Sequence, residues 1–342
     1  MKLDANLGTE GRYLRNVNDI ARAAEALGFA GLWTSETKHD GFLPLAIAAG
    51  ATEKIELGTS VAIAFSRSPM VIAQTAWDLQ ALSDGRFILG LGTQVKAHVK
   101  RRFSMPWDRP VARLREYILA LRAIWQSFQS EGPLKFEGEF YRHTLMTPFF
   151  NPGPIEYPEI PVYIAGVNTR LATLAGELCD GFHVHPFHSP EYLRRTVEPA
   201  IAEGAEKEGR DPERVELATS VFVVTGENAV EVEEQREKMR AQVAFYASTP
   251  TYRTVLEAHG WEDVGEELGK LARDKKWDEM PKLITGEMLD AFCVEAAPEE
   301  VGPALEERYE GLIDRVALYT PFVPDERDDF WRATIESVHA AR

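Results

Sequence analysis

Apolar and polar positions alternate along the chain with two different periods. Residues 3–7, 30–34, 55–62 and 87–91 are apolar runs of strand length. Residues 14–27, 43–52, 70–82 and 111–128 instead repeat their apolar positions every three to four residues, as amphipathic helices do. The first half therefore predicts four successive βα units. The second half is looser: 162–165 and 181–184 read as strands flanking a helix at 169–178, and 215–224 and 315–319 supply two more strands. Eight strands in repeated βα units predict an α/β fold, a (β/α)8 or TIM barrel, with residues 1–342 forming a single domain. A barrel of this kind takes about 250 residues, so roughly ninety are extra. They are expected as insertions after strand 4 and strand 7. Residues 131–160 are proline-rich, with an alternating stretch at 134–143 that reads as a hairpin laid over the barrel, and residues 245–297 carry charged helices and aromatics. Phe65, Trp107, Phe149, Phe150, Phe245 and Tyr246 are the residues expected to give the mouth an aromatic character.

Composition narrows the function. With 38 Lys and Arg against 54 Asp and Glu, the net charge is −16, which repels nucleic acid and anionic membrane surfaces. The predicted partner is a small molecule, and an anionic one must be held locally. No stretch approaches a membrane span. The two cysteines, Cys179 and Cys293, show no CxxC spacing, which suits a cytoplasmic protein and argues against a disulfide scaffold or zinc knuckle.

Residues 83–92 read Ser-Asp-Gly-Arg-Phe-Ile-Leu-Gly-Leu-Gly, a turn at Gly85 feeding a buried strand that ends in Gly90 and Gly92, where backbone can approach a ligand closely. In a TIM barrel, residues that do chemistry follow the strands. Glu36, Thr37 and His39 follow strand two, and Thr59 and Ser60 follow strand three. Gly92, Thr93 and Gln94 follow strand four, Ala165 to Asn168 follow strand five, and His183 and His185 end strand six.

Taken in order, Trp33-Thr-Ser-Glu36, Gly58-Thr-Ser-Val61, Arg67-Ser-Pro69, the 83–92 segment and Ala165-Gly-Val-Asn168 resemble the bacterial luciferase-like superfamily over nearly the whole chain. Within it, the chain is more similar to the branch using the deazaflavin coenzyme F420 than to the FMN-dependent monooxygenases. The resemblance implies the same barrel, and a homodimer. It also implies a non-prolyl cis peptide at Ser60-Val61, forming a bulge behind the cofactor's central ring, with Gly92 beside the ring and Thr93 or Gln94 bonding its pyrimidine edge. The cofactor phosphate is expected at Gly166, Val167 and Asn168, where a helix begins and free N–H groups favour an anion, with Arg170 as an added donor. The basic run Lys96, His98, Lys100, Arg101 and Arg102 suits the oligoglutamate tail of F420, or a solvated face.

Chemistry in this family is hydride transfer at the cofactor, so the protein orients two reactants and supplies a proton donor or acceptor. The candidates are Glu36, His39 and His185. Many F420 relatives have Asp at the position of Glu36 and His at that of Thr37, so the usual assignment does not carry over directly. His183-x-His185-x-x-His188 also admits a barrel metallohydrolase, provided that further ligands converge from other strands. Period-two spacing alternatively has His183 and His185 line the pocket together, His183 toward the cofactor. The reading is an F420-dependent oxidoreductase acting on an organic small molecule. Its alternatives are an FMN-dependent monooxygenase, a metallohydrolase, or a flavin-binding protein without catalysis.

Overall fold

In the computed structural model, which describes residues 1–8 and 13–340 (the Tyr13 side chain excepted), eight parallel strands close on themselves. They are β1 (Lys2–Asn6), β2 (Gly31–Thr34), β3 (Glu56–Thr59), β4 (Phe87–Gly92), β5 (Val162–Gly166), β6 (Gly181–Val184), β7 (Glu216–Val224) and β8 (Arg315–Leu318). Each pairs in parallel with the next, and β8 returns to β1 with Arg315 opposite Lys2. The chain is a TIM barrel, as the periodicity predicts. Helices α1 (Tyr13–Leu27), α2 (Leu43–Ala49), α3 (Pro69–Leu82), α4 (Pro110–Ser130) and α5 (Thr169–Leu178) lie within two residues of the predicted starts. Pro at the first position of α3 and α4, and the Ser68 and Asn168 caps of α3 and α5, explain where three of them begin.

Two strand expectations change. The run at 55–62 is not one strand: β3 stops at Thr59, the Ser60–Val61 peptide is cis, and Ala62–Ile63 resumes beside Leu91 and Gly92 of β4. A further short strand, Cys293–Glu295, pairs with the far end of β7 at Phe222 to Val224. Its three residues are too few to carry a period.

The main core lies between strands and helices, where Leu3, Leu32, Leu57, Leu89, Val162, Val221 and Val316 are essentially inaccessible. Each such side chain contributes about 1.5–3 kcal/mol by burial. Inside the barrel, alternate residues stack in layers. At the N-terminal end lies an ion network. Arg315, 1% exposed, donates two bonds of 2.9 Å to Asp4 and one of 2.6 Å to Glu56. Lys2 lies 3.4–3.5 Å from Glu56 and Glu216, and Tyr163 bonds to Glu216. Burial raises the Asp4 carboxyl above its usual range, with Arg315 pulling it back. An aromatic layer of Trp33, Ile88, Tyr163 and Ala218 follows, tied down by Trp33 Nε1 donating to Asp4 at 2.8 Å.

The two long segments lie elsewhere than over the mouth in one case and beside it in the other. The hairpin Phe136–Glu137 with Arg142–His143 is clasped to the outside of α4, where the Glu116 carboxylate accepts from the N–H groups of Glu139, Phe140 and Tyr141 at 2.6–2.8 Å. It packs on the first turns of α4, where Arg113 Nε donates to Tyr141 Oη at 2.8 Å. Phe149 and Phe150, 89% and 67% exposed, sit near the far end of α4, where Asn151 donates to the Ser127 carbonyl. The expectation that they line the mouth is corrected accordingly. Between β7 and β8, α6 (Ala229–Ala247) and a set of shorter helices bring Tyr246 and Tyr252 to the barrel.

Candidate functional site

The uppermost inward layer is polar. Asn6, Ser60, His185, Ser220 and Tyr319 continue the inward alternation one step beyond the aromatic layer, and all line a cavity of about 930 Å3 at the C-terminal mouth. Trp33 and His183 also line it from the layer below, while Tyr246, Thr37, Thr320 and Phe322 belong to its walls. Asn6 Nδ2 is anchored to Ser220 Oγ at 3.1 Å and to the Leu318 carbonyl at 3.0 Å. Sequence reasoning missed Asn6, Ser220 and Tyr319. Period-two alternation within the predicted strands 3–7, 215–224 and 315–319 was the signal that finds them.

His183 is buried against the edge of Trp33, 5.0 Å between centroids, and beside Tyr163. Its Nε2 makes no hydrogen bond of good geometry. Burial pushes its pKa down to about 3, with the Arg315 charge acting the same way. His185 is also neutral, held at about 3 by burial and by His188. Its Nδ1 accepts from Phe187 N–H at 3.1 Å, which leaves Nε2–H to donate to the Tyr252 hydroxyl at 3.0 Å. Both nitrogens are occupied. His188 bonds to the His185 carbonyl and to Tyr309, both at 3.0 Å, and serves packing. The three histidines are thus dispersed over separate partners, and among the described residues no three His, Cys, Asp or Glu side chains converge as metal ligands.

Glu36 is not in the cavity wall. Its buried carboxylate accepts from Ile63 N–H at 2.7 Å and from Arg67 at 2.8 Å, and Arg67 reaches Asp40 at 2.6 Å. Backbone bonds from Glu36 N to the Val61 carbonyl and from Ser60 N to the Thr34 carbonyl complete the clasp around the cis peptide. This is a positioning arrangement. His39 is exposed on the loop after β2, outside the cavity lining.

The β4 glycines have a packing cause. A Cβ at Gly90 would lie 1.8 Å from the Thr59 carbonyl and 2.9 Å from His183 Nε2, and one at Gly92 would lie 2.6 Å from a Val61 methyl. They admit the neighbouring strand and its cis bulge. Gln94 takes a left-handed conformation, φ +57, bonding back to Val95 N–H, with Thr93 Oγ bonded to the Gln94 carbonyl. At the end of β5, Gly166 fits against Leu171, Tyr192 bonds to the Val167 carbonyl, and Asn168 caps α5 by accepting from Leu171 N–H at 3.1 Å. Arg170 instead lines an outer groove with Arg109 and Arg115, between α4 and α5. The basic run forms a short helix, Lys96–Arg101, and Arg102 following it bonds to the carbonyl of Thr37 on the cavity rim.

A parallel barrel with a polar, concave mouth beside a cis bulge on its third strand defines a class, and residues 1–315 match the family model described as luciferase-like monooxygenase. The chain belongs to that family. It is 46% identical to an uncharacterized protein of Mycobacterium tuberculosis over 316 residues, 92% of each chain. It is 30% identical to a putative coenzyme F420-dependent oxidoreductase of the same organism, over 85% of this chain and 86% of that one. Among solved structures, the coenzyme F420 dependent tetrahydromethanopterin reductase of Methanopyrus kandleri superposes with a TM-score of 0.79 at 22% identity, over 99% and 98% of the two chains. The oxygenating constituent of 3,6-diketocamphane monooxygenase from Pseudomonas putida, in complex with FMN, shares the fold with a TM-score of 0.69 at 16% identity, over 100% and 98%.

Proposed function

We propose that the chain is an F420-dependent oxidoreductase acting on an organic small molecule bound in the mouth of the barrel. The observation that carries the reading is the cavity itself: ligand sites of roughly 300–1,000 Å3 are usual, and this one is walled by the cis-bulge residue Ser60 and floored by an aromatic layer with one unsatisfied buried nitrogen, His183 Nε2. A planar heteroaromatic ring fits that donor set. The 30% identical relative named for F420 supports the choice of cofactor.

When bound, F420 supplies hydride chemistry at its deazaflavin ring. The chain's own residues do the holding. Ser60 and Val61 would back the ring, and Gly92, Thr93 and Gln94 would meet its edge. The N-terminus of α5, with Gly166, Val167 and Asn168, offers N–H groups for a phosphodiester. Glu36 and Arg67 hold the bulge in place. His183 and His185 stay neutral near pH 7 and add no charge to the cavity, and the Tyr246–Tyr319 hydroxyl pair is the proton-holding pair that lines it. Fluorescence titration of the purified protein with F420 and, separately, FMN tests the reading. At least a tenfold preference for F420 is expected, equivalent to about 1.4 kcal/mol; a preference for FMN would move the chain to the monooxygenases.

A further inference from the structure

The side chains lining the mouth beyond the bulge have a chemical character that restricts the second ligand. Resting on the F420 reading of this cavity, we propose that its substrate is an uncharged organic molecule whose hydroxyl or carbonyl oxygen is anchored by the Tyr319 phenol.

Tyr319 follows the last residue of β8 and shares the inward face of Arg315 and Ala317, so its ring reaches the polar top layer. Its hydroxyl is 2.9 Å from that of Tyr246. Tyr246 is fixed from other sides, edge-on to His185 at 4.7 Å and stacked with Phe222 at 6.2 Å. Two phenols sharing one hydrogen bond use only one of their two protons, so the pair keeps one O–H for an acceptor in the cavity that both rings line. A carbonyl or hydroxyl oxygen accepts such a proton.

Charge argues for neutrality. Among the described residues lining the cavity there is no lysine or arginine, and Glu326, exposed at the edge, is the carboxylate. The two histidines there are neutral near pH 7. The described lining therefore offers no cation to a carboxylate or phosphate and no deep carboxylate to an ammonium.

The test uses three probes of one shape: benzyl alcohol, benzoate and benzylamine, titrated into the full-length protein by ligand-observed NMR at pH 7.5, with and without F420. Benzyl alcohol is expected to bind at least tenfold more tightly than either charged probe. Tyr319→Phe should weaken it about tenfold, the scale of one hydrogen bond. Tyr246→Phe, which removes the hydroxyl partner of Tyr319, should weaken it threefold or more and carries the test if Tyr319→Phe does not fold. Equal or tighter binding of a charged probe, no binding of any probe, or full alcohol affinity in the variants would overturn the proposal. If F420 fails to bind while the alcohol still needs Tyr319, the cofactor reading falls and the anchor stands.

Discussion

Arg315→Met removes the cation from the barrel's N-terminal network and leaves Asp4, 2% exposed, without its bidentate partner. Breaking a buried pair on one side costs about 3–5 kcal/mol, because the remaining charge is desolvated and unpaired. For 342 residues at about 2.1 cal/mol/K per residue, the unfolding entropy is about 0.7 kcal/mol/K, so the melting temperature should fall by about 4–7 °C. Circular dichroism at pH 7.5 reads this directly. The deficit should also depend on pH. Asp4 already sits above its ordinary value through burial, and Arg315 is what pulls it back, so the variant's Asp4 rises further. A carboxyl raised in the folded state favours folding while it is protonated and loses that contribution as pH rises through its folded pKa. The deficit is therefore full at neutral pH and shrinks as pH falls toward 4. Adding Asp4→Asn should restore part of the loss, because the orphaned charge is gone. A shift under 1 °C, or a double variant no more stable than the single one, would refute the network as a determinant of the barrel's interior.

Other outcomes follow from the same contacts. Gly90→Ala places a Cβ 1.8 Å from the Thr59 carbonyl, a backbone clash that β4 relieves only by moving, so loss of soluble protein or a fall of more than about 3 kcal/mol in urea unfolding is expected. Glu36→Gln removes the ion pair to Arg67 and should cost roughly 1–3 kcal/mol, with F420 affinity reduced because the clasp on the Ser60–Val61 bulge loosens; unchanged affinity would mean the bulge holds its shape without it. His183, His185 and His188 lie at about 3, 3 and 4, below the unfolded value near 6.5. A lowered histidine contributes stability above the unfolded pKa and loses it as pH falls toward the folded one, about 1.4 kcal/mol per pH unit for each. Melting temperature should therefore decline from pH 6.5 to 4, and imidazole 15N shifts should stay neutral down to about pH 5, with His188 the first to titrate below that.

The barrel was legible because its strands and helices carry different periods, and β1, β2, β4 and β6 fall at the predicted places. What was not legible depended on contacts between segments distant in sequence. The break in the 55–62 run is held by backbone bonds from β2 and by Glu36, none of which a local pattern records. Glu36 is a loop carboxylate after a strand, the place where a catalytic acid is sought, yet Arg67, thirty-one residues on, turns it into a clasp. The 134–143 hairpin was readable as a hairpin, but its seat on α4 is set by Glu116, Arg109 and Arg113, residues distant from it in sequence. Tyr319 lay inside the predicted strand 315–319, but the inward alternation of Arg315, Ala317 and Tyr319 was not followed to the mouth.

The most direct measurement of the central claim is a crystal structure of the protein with F420. The account predicts the deazaflavin ring in the mouth cavity, backed by Ser60 and Val61 with Gly92 at its edge and the phosphodiester at the start of α5. A ring bound elsewhere on the chain, or a phosphodiester away from Gly166 to Asn168, would contradict it.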